Sequence, residues 1–219
     1  MFEDGVHLID KHKGWTSFDV VNKIRFSVAK ERGKKTKNIK VGHAGTLDTL
    51  ATGLLIVLVG KEFTKKASEY SKMDKTYEVT MKLGQTSVTG DEEGEKTDMS
   101  DIEPSAKEVQ QSIDKFQGDI MQTPHNFSAI KVNGQRAYKL ARKGQEVAIE
   151  PREVNIHVEL TDYTYPLIKF TAKVSSGTYI RSLVEDIGKD LKTGAYMSDL
   201  RRTQIGQFKV DEAEHIEKG

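Results

Sequence analysis

The stretch "VGHAGTLDTLATGLLIVLVG", residues 41 to 60, decides how this chain is read. Its second half, "LLIVLVG", is apolar without a break, which predicts a strand buried on both faces. Its first half turns tightly around Gly42, Gly45 and Gly53 and carries one carboxylate, Asp48, among Leu47, Leu50, Leu54 and Leu55. A charge in such company is costly unless it is protonated, paired or used. One reading is structural, with Asp48 accepting a backbone hydrogen bond in an Asx-turn beside the glycines. The other is a functional carboxylate, which needs a cation to keep it ionised and apolar walls to exclude water. Arg181, presented by a helix just after the tight "SSGT" turn, is one candidate cation.

Working outward, "GVHLID" reads as a strand. A helix capped by Thr16 or Ser17 runs to about Ala29, with Phe18, Val21, Ile24 and Val28 at helical spacing. "ERGKKTKNIK" reads as a flexible basic loop, residues 61 to 72 as helical, and "KTYEVTMKLG" as an alternating strand. Residues 85 to 103 are polar and turn-rich and read as a surface loop, with the "DEEGEKTD" run solvated because it lacks calcium-loop spacing. "SAKEVQQSIDKF" and "RAYKLARKG" read as helices, the second ending at Gly144 in a left-handed cap. "EVNIHVELTDYTY" and "LIKFTAKVS" pair around Pro166. "TYIRSLVEDIGKDL" forms a helix with Ile180, Leu183, Val184 and Ile187 on one face, and "DLRRTQIGQF" closes the core as a strand. Strands and helices interleave without a regular βαβ period. The expected class is therefore α+β, a mixed and mainly antiparallel central sheet flanked by helices. No repeat, low-complexity segment or linker divides the 219 residues, so a single domain over 1–219 is expected.

Composition narrows the chemistry. The chain has no cysteine, which excludes disulfides, thiolate metal sites and thiol nucleophiles. "MFEDGVHLID" has neither the basic nor the apolar region of a signal peptide, and "GLLIVLVG" is far short of a membrane span, so a soluble, cytoplasmic protein is expected. The net charge of +1 hides an uneven distribution. Lys23, Arg25, Lys30, Arg32, Lys34, Lys35, Lys37 and Lys40 crowd one segment against only Glu31, while acid gathers after Gly90. Such a basic stretch is either a solvated face or a polyanion site. Phosphate-cradling, dinucleotide-binding, zinc-protease and serine-hydrolase motifs are all absent, and the six histidines lack ligand spacing. If the chain is an enzyme, one that uses neither a nucleotide cofactor nor a metal is expected.

"GHAGTLDTLATGLL" resembles the signature of the TruB family of tRNA pseudouridine synthases. "GVHLIDKHKGWTSFDVV", "KTYEV", "TPHNFSAIKVNGQRAYKLARKG", "SSGTYIRSLVEDIG" and "LRRTQIGQF" are similar to further stretches of that family in the same order, so the likeness runs from about residue 5 to 208. Thr49 stands where the family has proline after its aspartate, and His12 replaces another proline near the start. The family's C-terminal RNA-gripping PUA domain is expected to be either missing or reduced to "VDEAEHIEKG", which is too short to fold alone.

The resemblance implies the pseudouridine synthase catalytic fold and conversion of uridine 55 in the T arm of tRNA to pseudouridine, without cofactor or metal; a monomer is the default expectation. It implies that Asp48 is the essential carboxylate, acting as nucleophile or as the base that starts elimination, and that Arg181 pairs with it. Tyr77 matches the tyrosine that stacks on the base, although by itself it reads as an ordinary strand aromatic. His43 matches the residue that fills the space left by the flipped uridine. Tyr179 and Leu200 match positions bordering the pocket. Lys34, Lys35, Lys37 and Lys65 are candidates for phosphate contacts. A non-catalytic RNA-binding protein and a hydrolase with an Asp48 nucleophile are the competing classes. The intact Asp48, Tyr77 and Arg181 argue against the first, and the lack of a second acid–base carboxylate motif argues against the other.

Overall fold

A computed structural model of the chain describes residues 2–128, 130–132, 134–145 and 147–216. In chain order the elements are β1 (Gly5–Lys11), α1 (Ser17–Glu31), β2 (Val41–Ala44), β3 (Thr52–Val59), α2 (Lys61–Thr64), α3 (Ala67–Ser71) and β4 (Lys75–Leu83). They continue with β5 (Gln85–Ser87), β6 (Lys96–Asp98), α4 (Ala106–Asp114), β7 (Gly118–Gln122), β8 (Lys131–Val132), β9 (Gln135–Arg136) and α5 (Ala137–Ala141). The last are β10 (Arg152–Thr164), β11 (Leu167–Val174), α6 (Ile180–Asp190), β12 (Ala195–Ile205), β13 (Phe208–Lys209) and β14 (Glu214–His215). The protein is mixed α/β, with a large, mainly antiparallel sheet and few helices, as the sequence predicts. By contacts the chain forms two compact units, residues 1–78 with 200–219 and residues 79–199.

In the first unit β3 is the central strand. It pairs antiparallel with β1 and β2 and parallel with β12. Its alternate side chains enter two different cores, which explains the unbroken apolar run. Leu55, Val57 and Val59 meet Val20, Val21, Ile24 and Val28 of α1, while Leu54, Ile56 and Leu58 pack with Ala44 and Ile205. Thr16 caps α1 in a reciprocal box with Asp19, whose carboxylate accepts the Thr16 N–H. The expected apolar face needs one change: Val20, not Phe18, points inward, and Phe18 is 57% exposed. Gly53 faces Arg202 of β12 with φ +100°, and a Cβ there would lie 2.2 Å from the Arg202 carbonyl oxygen. Only glycine lets these two backbones approach so closely.

The second unit is organised on β10 and β11, paired antiparallel, with β7 against the far side of β10. The α6 face of Ile180, Leu183, Val184 and Ile187 is buried as its spacing predicts. Ser105 caps α4 in a second reciprocal box, with Glu108. The expected loop over 85–103 instead contains the β5–β6 hairpin. The helix expected over "RAYKLARKG" is the short α5, with Gly144 beyond it at φ +71°. The last residues of "VDEAEHIEKG" lie outside those described. Among the described residues, no helix is long and apolar enough to cross a membrane.

Candidate active site

In the first unit, Asp48 occupies the connection between β2 and β3 and is half-buried. Its carbonyl oxygen accepts the Ala51 N–H at 3.1 Å, closing a turn whose second residue is Thr49. That is the turn position proline favours, so Thr49 keeps the geometry with a less restricted backbone. The whole connection is fastened by groups far away in sequence. Ser17, 2% exposed at the start of α1, accepts the Leu47 N–H at 2.8 Å and donates to the Leu47 carbonyl at 3.0 Å. The Thr49 carbonyl accepts from the Gly14 N–H at 2.8 Å and, more loosely, from Lys11 Nζ at 3.5 Å. Buried Arg202 donates through Nε to Leu54 and through Nη2 to Gly45, both at 2.8 Å. Four attachments therefore bracket the carboxylate, each satisfying backbone groups that would be costly to leave unpaired.

His43, on β2, has a buried Nδ1 with no hydrogen-bond partner among the described residues. Burial, and after it the positive charge of Arg202, lowers its pKa below 6.5, so its ring is neutral at pH 7. Tyr77 on β4 and Leu200 on β12 are both buried. Lys75, two residues before Tyr77, donates to the Ser71 and Met73 carbonyls, and burial with Arg202 nearby brings its pKa to about 8. Lys34, Lys35 and Lys37 are exposed and have no acidic partner among the described residues. Lys65 is exposed too, but it is paired with Glu62 at 3.0 Å.

The second unit holds Tyr179 and Arg181. Buried Gln122 clamps the Tyr179 backbone, accepting its N–H at 2.8 Å and donating to its carbonyl at 3.1 Å. The Arg152 guanidinium lies 5.0 Å from the Tyr179 ring centre, in cation–π range. Arg181 is buried at the start of α6, and its guanidinium is fixed within the unit. It donates to the Thr89 carbonyl at 2.9 Å and the Phe127 carbonyl at 3.0 Å, and lies 3.4 Å from the Asp91 carboxylate.

Asp91 corrects the sequence reading. The first acid of the "DEEGEKTD" run is not solvated but 3% exposed. Its Oδ1 accepts from the Thr89 hydroxyl and the Glu93 N–H, and its Oδ2 faces Arg181. His125 is held by hydrogen bonds through both ring nitrogens. Its Nδ1 accepts the Phe127 N–H at 3.0 Å, so Nε2 carries the proton and donates to Glu185 at 3.1 Å. Sequence reasoning missed Ser17, Lys11, Arg202, Asp91 and Gln122 as supports. The only signal for most of them was their place inside the quoted motif stretches.

Comparison with known proteins adds the identity. Residues 32–180 match the model described as TruB family pseudouridylate synthase (N terminal domain). The chain belongs to the TruB family. Residues 181–218, starting at Arg181, match a tRNA pseudouridylate synthase B C-terminal domain. A tRNA pseudouridine synthase B of Parabacteroides distasonis is 46% identical over 199 residues, covering 90% of this chain and 83% of the relative. One from Aquifex aeolicus is 41% identical over 224 residues, covering 98% and 73%. Among solved structures, a chain of a Cbf5–Nop10–Gar1 complex aligns with a TM-score of 0.72 at 29% identity. A chain of an H/ACA RNP bound to a substrate RNA aligns at 0.68 and 27%. These alignments cover 97% of this chain but only 52% and 51% of those longer chains. The protein is thus a pseudouridine synthase, an isomerase acting on RNA.

Proposed function

We propose that this protein converts uridine 55 in the T arm of tRNA to pseudouridine, as a cytoplasmic monomer, with Asp48 as its essential carboxylate. The reaction breaks the N1–C1′ bond, turns the base and forms a C5–C1′ bond. It is redox-neutral and needs no external energy donor. Asp48 acts as nucleophile or as the base that starts elimination at the ribose, with Arg181 as its proposed partner. The target uridine leaves its stack at a cost of about a few kcal/mol, which pocket contacts offset. Tyr77 stacks on the base and takes part in removing the C5 proton, while Tyr179 and Leu200 border the pocket. His43, neutral at pH 7, fills the vacated space without bringing an unpaired charge into the RNA. Lys34, Lys35, Lys37 and Lys65 face phosphates and give binding its salt dependence.

The observation that carries this reading is the fastening of the Asp48 turn, at Gly45, Leu47 and Leu54 by buried Arg202 and Ser17 and at Thr49 by the Gly14 N–H and buried Lys11. A surface Asx-turn has no need of four such attachments, whereas a reacting carboxylate must be held in place before substrate arrives. The test is to incubate the protein, and its Asp48→Asn variant, with unmodified tRNA and map pseudouridine site by site. The variant should bind tRNA and form no product. A near-normal rate would overturn the role of Asp48, and product away from the T arm would overturn the substrate site. Wild-type binding without product would make the protein a binding module.

A further inference from the structure

The first unit carries a groove of about 740 Å³ to which, of the residues given a role above, only Lys37 contributes. Asn22, Arg25 and Phe26 of α1 line one side, and Lys37, Lys40 and Val41 are among the residues lining the other. Phe26 is 70% exposed. Leaving most of a phenylalanine side chain in water forgoes roughly 1–2 kcal/mol of burial, and α1 does so at Phe26 as well as at Phe18, so this aromatic face needs a reason. Arg25 is pre-positioned beside it, donating to Asn22 Oδ1 at 2.8 Å and to the Val41 carbonyl at 3.1 Å. It also lies 5.7 Å from the ring of exposed Phe18, one side of a cation–π pair. No carboxylate lines the groove, and neither Lys37 nor Lys40 has an acidic partner among the described residues.

An exposed aromatic face beside unpaired cations matches the chemistry of a nucleotide, whose base has a π-face and whose phosphate is anionic. A protein partner would have to bring its own acid to every one of these cations. We propose that this groove takes one nucleotide of the T arm, its base stacked on Phe26 and its phosphates on Lys37 and Lys40. The position within the substrate rests on the functional reading above. Val41 lines the groove and His43 stands two residues further along β2, about 7 Å at strand rise, so the occupant flanks the extruded uridine. The groove would thus hold the RNA strand beside the flipped base and resist its recoil.

The test is direct binding of a T-arm stem-loop transcript to the full chain carrying Phe26→Ala, Phe26→Leu or Phe26→Trp. The side chain is exposed, so each variant should melt within about 1 °C of wild type. Phe26→Ala and Phe26→Leu should each raise Kd about tenfold, the scale of one lost base–aromatic stack, and Phe26→Trp should restore it. Leucine keeps apolar contact without a π-face, so wild-type affinity in Phe26→Leu would overturn stacking. An effect confined to full-length tRNA would overturn the T-arm position, and unchanged binding in all three would overturn the site. Because the readout is Kd, wild-type protein that binds the hairpin but makes no pseudouridine would defeat the functional reading and leave the groove standing.

Discussion

Replacing Ser17 with alanine removes one hydroxyl and tests whether the Asp48 turn is held by α1. The hydroxyl makes two bonds to Leu47, one to the N–H at 2.8 Å and one to the carbonyl at 3.0 Å. At 2% exposure, water cannot take its place without rearrangement. An orphaned buried N–H costs about 1–3 kcal/mol, and the carbonyl somewhat less because it has a second lone pair. Alanine gives back about 0.5 kcal/mol as the better helix former. The net loss is about 2–3 kcal/mol, which in a chain of this length lowers Tm by about 4–12 °C. Freed Leu47 also lets Asp48 wander, and a misplacement of about 1 Å can cost about 100-fold in rate. Calorimetry and single-turnover pseudouridine formation at saturating tRNA read the two effects separately. A Tm change under about 1 °C would refute the buried clamp. A lowered Tm with an unchanged rate would refute its role in positioning the carboxylate.

Gly53→Ala should remove most of the folded protein, because its methyl would sit 2.2 Å from the Arg202 carbonyl; soluble yield and melting check this. Asp91→Asn takes the charge from a buried pair and should cost about 3–5 kcal/mol, read by urea unfolding, with a slower single-turnover rate because Arg181 loses an anchor. Below pH 6.5 the unfolded chain protonates His43 while the folded protein, with its lowered pKa, does not. Stability should therefore fall as pH drops through 6.5 toward the folded value. In His43→Gln that component of the acid-side loss should vanish from pH-dependent melts, and an unchanged profile would refute the shifted ring.

Legibility in the sequence followed the range of the interaction that decides each feature. The unbroken run of β3, the face of α6 and the start of α1 at Thr16 or Ser17 depend on neighbours within a few positions, so spacing alone declared them. Apart from Asp48, the residues proposed for the site were named only through likeness to a family, since no local rule marks Tyr77 or Leu200 as more than core. What residue spacing left open was the partner of each buried polar group. Asp91 looked like part of a solvated acidic run until Arg181, ninety residues on, was found against it. No local pattern marks Lys11 and Arg202 as buried, yet both are, and both donate to backbone carbonyls. Phe18 fitted the helical period as well as Val20, and the sheet beneath α1 chose between them. Sequence fixes the elements because their periodicity is local; only the tertiary structure decides which charges are buried, because desolvation and its compensation depend on chain segments that meet nowhere but in the fold.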